Sequence, residues 1–310
     1  MKIVFMGTSK FSVASLLKII ETKHEIVGVV TQPDRPRGRG QKLVPSPVKE
    51  IALEYKLPLY QPPRIKEEEA IDYIHNWDTD LIVVVSYGQI IPPELLDYPR
   101  LGCINVHASL LPHYRGAAPI QRAIMAGDRI SGVTIMAMDQ GLDTGDIILQ
   151  LPVQIEDEMD HGSYEEVLAH AGADLLIDTL AVIKSGSFPR RKQDSSKATY
   201  AHMLSREDER IQWERSALNI FNQIRALSPQ PAAYTSFNGK RFKIFSTRCV
   251  DRDAAGAPGQ IMEISPQGLM VQCAYGMLEI QELQLQGKKR MPCSEFLKGF
   301  KLTVGDVLGN

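Results

Sequence analysis

Apolar residues in the first half of the chain alternate between two spacings. Short apolar runs of strand length are separated by stretches in which apolar residues recur at helical spacing, as Val13, Leu16 and Ile20 do. Ile51–Tyr55 and Glu67–His75 supply further helical stretches. The predicted strands are Lys2–Met6, Glu25–Val30, Leu81–Val85, Cys103–Val106, Val133–Met138 and Ile147–Ile155. This alternation predicts an open, mostly parallel α/β sheet, in which ligands collect at the carboxyl ends of the strands.

The next element is a long helix, after which the composition changes. Ser163 and Glu166 form a capping-box signature at the predicted start of this helix, and Gly186 is placed to end it. The following residues carry Gly, Pro, Ser and clustered charges, which are typical of a linker. We therefore predict a first domain at residues 1–188, a linker at 189–204 and a second domain at 205–310.

Short strand patterns separated by turn signals fill most of the second half. A short helix, Ala217–Ala226, comes first, with Ile220, Ile224 and Leu227 on one side. The predicted strands are Phe242–Phe245, Gly259–Ile264, Gly268–Cys273 and Leu278–Leu285. Several short strands within about a hundred residues favour a small β-barrel such as an oligonucleotide-binding fold.

Length and composition are those of a globular protein of two domains. The chain has 310 residues, of which 44% are hydrophobic and 23% are charged. Its longest apolar runs fall far short of the roughly 20 residues that span a bilayer, and the N-terminus shows no signal-peptide pattern. The four cysteines form no CxxC pair, so neither a disulfide framework nor a zinc site is predicted. We expect a cytoplasmic protein with no membrane partner and no bound metal, and a monomer by default.

Charge is distributed unevenly along the chain. Residues 1–186 carry 17 basic and 25 acidic side chains, a net charge of −8, whereas residues 187–310 carry 18 and 12, a net charge of +6. Within the acidic half, the segment 31–49 is rich in prolines and glycines, and its residues 35–49 contain five basic residues and no acid: Arg35, Arg37, Arg39, Lys42 and Lys49. Its prolines and glycines predict a loop without regular structure, and they match no nucleotide-binding glycine motif. The segment fits either phosphate contacts with a polyanion or an ordinary solvated loop.

Polar residues that are able to bind a carbonyl or transfer protons lie near the ends of two predicted strands. Asn105 and His107 are two residues apart at a strand end, so their side chains share one face of the strand. An amide beside an imidazole can polarise a carbonyl and move protons, and a carboxylate such as Asp143 can orient the imidazole. Asp139, Asp143 and Asp146 fit an ordinary Asp-Gly turn cluster equally well. Taken alone, the two residues favour a structural interpretation over a catalytic one, with Asn105 capping the strand end and His107 as a buried core histidine.

Longer motifs resemble those of one family. The segments INVHASLLPHYRGAAPIQRAI and GVTIMAMDQGLDTGDI resemble the core of folate-dependent formyltransferases, and TQPDRPRGRG…PSPVK resembles the tRNA-contacting loop of the methionyl-tRNA formyltransferase family. The opening VFMGTSKFS is similar to the start of that family, although Ser9 and Lys10 stand where its members usually have proline and an acid. The resemblance covers essentially the whole chain. It implies an open, mostly parallel, Rossmann-like formyltransferase sheet followed by a small C-terminal β-barrel similar to an oligonucleotide-binding fold.

The resemblance also implies a reaction and the residues that carry it. The formyl group of 10-formyltetrahydrofolate, the co-substrate, moves to the amino group of initiator methionyl-tRNA for translation initiation. The implied catalytic residues are Asn105, His107 and Asp143. The implied folate-binding residues are Ser109, Leu110, Leu111 and Pro112, with Tyr87, Gln89, Ile91 and Asp139 where main chain cradles the pterin. The implied tRNA-binding residues, in the basic loop of the first domain, are Arg35, Arg37, Arg39 and Lys42.

Other functions fit parts of the sequence. The same formyl chemistry serves a sugar-nucleotide amine, a purine precursor, or water in a formyltetrahydrofolate hydrolase, but these small acceptors do not call for such an extended cationic surface. A catalytically silent RNA-binding protein would not need the Asn-His-Asp set. A nicotinamide oxidoreductase is excluded because the turn after the first strand lacks the glycine fingerprint of dinucleotide sites.

Overall fold

A computed structural model of the chain describes residues 1–37, 42–186, 189–250, 252 and 255–309. The described residues form two compact units, each assembled from several stretches of sequence. The first unit comprises Met1–Pro119, Ile130–Gln154 and Glu165–Ala201, and the second comprises Ile120–Arg129, Ile155–Tyr164 and His202–Asn310. Among the described helices, none combines the length and the apolar composition needed to cross a membrane.

Strands and helices alternate through the first two thirds of the chain. The strands are β1 (Lys2–Gly7), β2 (Glu25–Val30), β3 (Arg35–Arg37), β4 (Lys42–Val44), β5 (Leu59–Tyr60), β6 (Leu81–Val85), β7 (Cys103–His107), β8 (Ile130–Ala137) and β9 (Ile147–Gln154). The helices are α1 (Lys10–Ile20), α2 (Pro47–Glu54), α3 (Glu68–His75), α4 (Pro93–Leu96), α5 (Pro119–Ala126) and α6 (His161–Lys184), and a short 3₁₀ helix covers Ser195–Lys197. The predicted alternation is confirmed.

The first unit is built on a seven-stranded sheet with the order β5-β2-β1-β6-β7-β8-β9. Its first five strands run parallel, whereas β8 and β9 are antiparallel additions at one edge. The mostly parallel sheet predicted from the sequence is therefore confirmed. The chain passes from β1 to β2 on one side and later to β6 on the other, so a topological switch point lies between β1 and β6. Crevices at such points, outside the carboxyl ends of the strands, are where open α/β sheets bind ligands.

The centre of this sheet is apolar on both faces. All five residues of β6 are apolar and buried, three of them valines, as a central parallel strand covered by helices requires. Val4, Met6 and Ile82 belong to a buried cluster that extends to Tyr87 and Ile91, just beyond the end of β6. The loop after β6 is thus fixed to the core by its own side chains.

Regular structure in the segment 31–49 contradicts the sequence prediction. The strands β3 and β4 form a hairpin in which Pro36 lies opposite Leu43. Because this hairpin has only two strands, Pro36 interrupts no further ladder by lacking an N–H group. The helix α2 then starts at Pro47, where a missing N–H costs no intrahelical bond, and the Ser46 side chain accepts from the Lys49 N–H at 3.0 Å.

The start of α6 also differs from its predicted cap. Asp160 is the capping residue, because its Oδ1 accepts from the Ser163 N–H at 2.9 Å while the Ser163 hydroxyl accepts from the Asp160 N–H at 3.1 Å. The reciprocal pair is a capping box shifted three residues towards the N-terminus. Gly186, with φ of +86°, follows the last turn as predicted.

The second unit contains an antiparallel sheet with helices packed against it. Its strands are β10 (Ala233–Phe237), β11 (Lys240–Val250), β12 (Ile261–Ile264), β13 (Leu269–Gln272), β14 (Met277–Leu285) and β15 (Met291–Pro292), and its further helices are α7 (Arg206–Glu209), α8 (Ala217–Leu227) and α9 (Cys293–Gly299). The strand order is β10-β11-β14-β13-β12, with β15 on β14. The small C-terminal β domain predicted from the sequence is confirmed, and its sheet is antiparallel.

The core of the second unit is formed by α8 and the sheet. Ile220, Ile224 and Leu227 are fully or almost fully buried, as their predicted helical stripe requires. Trp213 is buried beside them and its indole N–H donates to Thr235 Oγ1 at 3.0 Å, which satisfies the one polar atom of the ring.

Candidate active site at the carboxyl end of strand β7

His107 is the last residue of β7, and the sheet fixes its position. The strand pairs with β6 on one side and with β8 on the other, where His107 lies opposite Thr134. Its side chain is only 6% exposed, and Nε2 lies 3.0 Å from the Tyr114 carbonyl oxygen. A carbonyl accepts only from a protonated nitrogen, so Nε2 carries a proton and donates to Tyr114. Nδ1 is therefore the ring nitrogen that remains for chemistry.

The carboxylate of Asp143 faces that second nitrogen. Asp143 Oδ2 lies 3.7 Å from His107 Nδ1, which is beyond hydrogen-bond length and leaves Nδ1 uncommitted. The same oxygen accepts from the Gly116 N–H at 2.8 Å. Asp143 also has φ of +52°, a left-handed conformation that costs a residue with a side chain about 1 kcal/mol. A backbone held in this conformation next to a buried imidazole is consistent with a functional turn.

Asn105 presents a free amide on the same face of β7 as His107. The two residues are two positions apart on a regular strand, so both side chains point to one side. Asn105 is half-buried, and its side chain has no hydrogen-bond partner among the described residues. Partly buried amides normally find partners. A free one next to His107 is therefore available to donate to a bound oxygen.

The loop after β7 supplies main-chain groups that hold this arrangement. Tyr114 has φ of +61° and offers its carbonyl to His107, whereas Gly116 offers its N–H to Asp143. Gly116 has φ of +119°, and a Cβ placed there would lie 2.8 Å from the Ala201 carbonyl oxygen. Only glycine fits both the conformation and the space.

The predicted folate-binding run 109–112 is anchored to β8. Thr134 Oγ1 donates to the Ser109 carbonyl at 2.7 Å and accepts from the Leu111 N–H at 3.1 Å. The Ser109 hydroxyl is fully buried and donates to the His113 carbonyl at 2.6 Å. Leu111 is buried, whereas Leu110 and Pro112 are partly exposed. The run is thus rigid, and folate contact by its residues stays a prediction.

The loop after β6, at the switch point, contains main-chain groups that make no hydrogen bond within the described chain. Within the part of the chain that the structure describes, the peptide groups of residues 88–91 make no hydrogen bond. Tyr87 and Ile91 are buried in the core, and Gln89 uses its side chain to accept from the Ile65 N–H at 2.8 Å. Their side chains are therefore committed to structure. Open peptide groups can donate to and accept from a polar ligand. Folate contact by this loop stays a prediction.

Asp139 has a structural partner in the turn that carries Asp143. Its Oδ1 accepts from the Thr144 hydroxyl at 2.6 Å and from the Gly141 N–H at 3.0 Å. These bonds shape the turn. Folate contact by the Asp139 side chain stays a prediction.

The base of the basic loop is tied to the first unit. Arg35 donates to Gln32 Oε1 at 3.2 Å. Lys49 Nζ lies 2.7 Å from Asp34 Oδ2, and Gln61 Nε2 donates to Asp34 Oδ1 at 2.9 Å. Hydrogen bonds from Gln61 and Lys49 hold the pKa of Asp34 below its usual value, so the carboxylate is charged at neutral pH. Both ends of the loop are therefore anchored by polar pairs.

The other predicted tRNA-binding residues are Arg37, Arg39 and Lys42. Arg37 ends β3 and Lys42 begins β4, but their side chains are outside what the structure describes. Arg39 lies outside the described residues altogether. Their contact with tRNA stays a prediction.

The sequence predicted His107, Asp143 and Asn105 as site residues. The structure places His107 and Asp143 together, with Asn105 on the same strand face as His107. The prediction missed the Tyr114 carbonyl and the Gly116 N–H, although both residues lie in a segment whose motif it singled out. Main-chain partners leave no residue-type signal, so only the path of the folded chain reveals them.

Comparison with known proteins identifies the family. The family model for formyl transferases matches residues 1–180, and the model for the formyl transferase C-terminal domain matches residues 203–301. The chain therefore belongs to the formyl transferase family. Within it, the chain is 53% identical to the methionyl-tRNA formyltransferase of Syntrophomonas wolfei and 46% identical to that of Geobacter sulfurreducens. These matches cover 100% of this chain and 99% and 97% of the two relatives, so the chain is a member of the methionyl-tRNA formyltransferase branch, as the resemblance predicts.

Solved structures agree with this fold. HypX from Aquifex aeolicus in complex with tetrahydrofolic acid superimposes with a TM-score of 0.67 at 18% identity. The match covers 98% of this chain but only 50% of HypX, so this chain spans about half the length of that protein. At such low identity the likeness concerns the fold alone.

Proposed function

We propose that this protein transfers the formyl group of 10-formyltetrahydrofolate to the amino group of methionyl-tRNA, giving the N-formylmethionyl-tRNA of translation initiation. The observation that carries the proposal is the pairing of His107 Nδ1 with the Asp143 carboxylate at 3.7 Å, beside the free Asn105 amide. These groups lie in a chain that is 53% identical along its whole length to a methionyl-tRNA formyltransferase. The same three side chains would serve a small-amine formyltransferase or a hydrolase, so it is the identity along the whole chain that favours methionyl-tRNA as the acceptor.

Folate is the co-substrate in this proposal. The open peptide groups of residues 88–91 hold the polar edge of the pterin, next to the anchored run from Ser109 to Pro112. Burial raises the pKa of Tyr87, so its hydroxyl stays protonated at the base of this loop. The tetrahydrofolic acid bound to HypX, a protein of the same fold, supports a folate donor. Among the described residues, no cluster suited to a metal ion occurs, and the proposed chemistry needs none.

Charge stabilisation falls to Asn105 and His107. When bound, 10-formyltetrahydrofolate supplies a formyl carbon to which an amine can add, with negative charge growing on the formyl oxygen. The Asn105 amide and the protonated Nδ1 of His107 share one strand face and donate to that oxygen. Donors that are already in place cost no reorganisation when the charge develops, and one of them is typically worth on the order of 10²–10³ in turnover.

Proton transfer falls to His107 and Asp143. Nε2 of His107 is held by Tyr114, so the proton moves through Nδ1. Protonated Nδ1 gives its proton to the folate nitrogen as the bond between that nitrogen and the formyl carbon breaks, and it then takes up the proton that the attacking nitrogen loses, which restores the imidazolium. The Asp143 carboxylate stabilises the imidazolium and fixes its orientation. Because the pair is separated by 3.7 Å, it has room to tighten when the substrates are bound.

Contacts with tRNA fall to the basic loop and the second unit. Lys49 and Arg35 are engaged at the base of the loop, so we assign its main phosphate contacts to Arg37, Arg39 and Lys42. In the second unit, exposed Lys240, Arg241, Lys288 and Lys289 gather at one end of the sheet, where the Gln286 N–H donates to the Arg241 carbonyl at 2.9 Å. A cluster of four cations is suited to a polyanion. We therefore assign the second unit to tRNA binding. We further propose that the enzyme acts as a monomer in the cytoplasm, where translation takes place.

Formyl transfer assays test the proposal directly. Purified protein is supplied with 10-formyltetrahydrofolate and one acceptor: methionyl-tRNA, free methionine, uncharged tRNA or a sugar-nucleotide amine. Transfer confined to methionyl-tRNA is the expected result. Folate turnover that does not depend on tRNA would replace the proposal with a hydrolase, and transfer to the sugar-nucleotide amine would replace it with a small-amine formyltransferase.

Replacement of Arg39 by alanine should weaken the use of tRNA and leave the use of folate unchanged. One fewer phosphate contact reduces kcat/KM for methionyl-tRNA and lowers the slope of log(kcat/KM) against log[salt] by about 1. Arg64→Ala is the matched control, since Arg64 is a well exposed arginine of the same unit paired with Glu67. An Arg39 variant with the salt dependence of the unaltered protein would refute the role of the loop.

A further inference from the structure

The side chain of Gln193 bridges two parts of the candidate site. Its Nε2 donates to the Asp143 carbonyl at 2.8 Å and to the Gly145 carbonyl at 2.7 Å. Its Oε1 accepts from Nε and Nη2 of Arg115 at 3.0 and 2.8 Å. Both N–H groups and both lone pairs of the amide are used, so the side chain has one position only. Gln193 therefore holds the turn at the strained residue Asp143 and two residues after it.

Arg115 is the anchor on the other side of this bridge. It is 3% exposed, and in the described chain no carboxylate pairs with it. Among the residues that the structure describes, its side-chain hydrogen bonds run to Gln193 alone. A buried guanidinium held in this way has a fixed orientation, because the group is planar and two of its N–H donors are engaged by the same oxygen. Arg115 also lies between Tyr114 and Gly116, the two residues whose main chain contacts His107 and Asp143.

The chain around Gln193 holds that loop at further points. The Tyr114 N–H donates to Thr199 Oγ1 at 2.8 Å, and the Arg115 N–H donates to the Thr199 carbonyl at 2.9 Å. The Ala201 N–H donates to the Arg115 carbonyl at 2.7 Å. We call residues 193–201 the strap. The strap fixes the loop that carries Tyr114 through Thr199 and Ala201, and it fixes the turn that carries Asp143 through Gln193.

We propose that Gln193 is a positioning residue for formyl transfer, acting through Asp143 and, by way of Arg115, through the support of His107. This inference rests on the proposed catalytic roles of His107 and Asp143. Gln193 holds the left-handed conformation of Asp143 by binding the carbonyl groups at 143 and 145 together. Without it, the carboxylate leaves its place opposite His107 Nδ1, while the folate and tRNA contacts stay as they are.

Two variants separate this role from a contribution to folding. Gln193→Glu keeps acceptors for Arg115 but loses both donors and sets a carboxylate against two carbonyl oxygens. Gln193→Met removes all four bonds at nearly the same length. We expect kcat to fall by about 10- to 100-fold in both, as a misplacement of about 1 Å does. The KM values for both substrates should stay within about twofold, since the lost interaction acts on the chemical step.

Gln223 provides a matched control. Its side chain is 4% exposed and its Nε2 also donates to two carbonyl groups, those of Asp208 at 2.7 Å and Arg210 at 2.9 Å, but within the second unit. Gln223→Met removes a bridge of the same kind and should leave kcat unchanged. Equal losses of kcat in the Gln193 and Gln223 variants would overturn the proposal and show a general loss of folded protein.

A double-mutant cycle with Asp143→Asn completes the test. If Gln193 acts through Asp143, adding Gln193→Glu to Asp143→Asn lowers kcat little further, because the group that Gln193 positions is already disabled. Full additivity of the two effects, or an unaltered kcat in Gln193→Glu, overturns the inference. An active Asp143→Asn variant would instead refute the catalytic assignment itself, so the two failures are distinguishable.

Discussion

Replacement of His107 by alanine should lower kcat for formyl transfer by a factor on the order of 10³–10⁴. The change removes both the donor that Nδ1 offers to the formyl oxygen and the group that moves the proton between nitrogens. Asn105 remains to stabilise charge, so a residual rate above that without enzyme is expected. Binding of folate should be retained, because the peptide groups of residues 88–91 and the run 109–112 do not depend on the imidazole. Single-turnover assays with saturating substrates measure the effect on the chemical step.

The control for this variant is His170→Ala. His170 is an exposed histidine of α6 in the same unit, so its replacement removes an imidazole without touching β7. Circular dichroism and thermal melting establish that both variants are folded. A folded His107→Ala enzyme whose kcat stays within about twofold of normal would exclude His107 from the reaction.

Asp143→Asn should lower kcat by a factor on the order of 10³–10⁴, as the same change does for an aspartate that orients a catalytic histidine. Asparagine keeps an oxygen for the Gly116 N–H, so the turn stays in place. It carries no charge, however, and its amide can donate to Nδ1, which would hold the imidazole in the wrong protonation state for transfer. The KM for methionyl-tRNA should change little, since Asp143 meets no phosphate in the proposed function.

Asp174→Asn is the corresponding control. Asp174 is a mostly exposed carboxylate of α6 that pairs with Lys18, so its replacement removes one negative charge from the first unit at a surface site. Surface pairs of this kind contribute little to stability. An Asp143→Asn enzyme as active as the Asp174→Asn enzyme would exclude the orienting role.

Elements with strong periodicity could be predicted from the sequence almost to the residue. Glu25–Val30 and Leu81–Val85 have the same bounds in the prediction and in the structure, because short runs rich in valine and isoleucine are typical of strands in a parallel sheet. Ile220 and Ile224 are likewise buried on the predicted side of their helix. The spacing of apolar residues along the sequence is enough to predict these elements, because it determines which of their side chains are buried.

Elements that depend on caps, turns or partners far along the chain could not be predicted in this way. The hairpin of β3 and β4 contains Pro36, which on its own argues against a strand, and its pairing with Leu43 emerges only when the two segments meet. Asp160 rather than Ser163 caps α6 because the capping geometry, not the residue pattern, selects the acceptor. Composition alone had identified the region of Gln193 as a connector.

The candidate site shows the same division. His107 and Asp143 carry chemical signals in their side chains, and the motifs around them are specific. The Tyr114 carbonyl, the Gly116 N–H and the Gln193 amide carry none, since each acts by its place in the folded chain. Prediction from sequence therefore identified the reacting groups better than the groups that hold them.

The strap constrains the length of the chain between its two fixed points. Gln193 and Thr199 are both bound to the same loop, and the 3₁₀ helix Ser195–Lys197 spans the gap between them. An ordinary interdomain connector tolerates insertions and deletions during evolution, because slack in it costs little. Here a single added or lost residue would shift Gln193 away from Arg115 or Thr199 away from Tyr114. Among natural variants of this protein, the spacing between these two positions should thus vary less than the identity of the exposed residues within it.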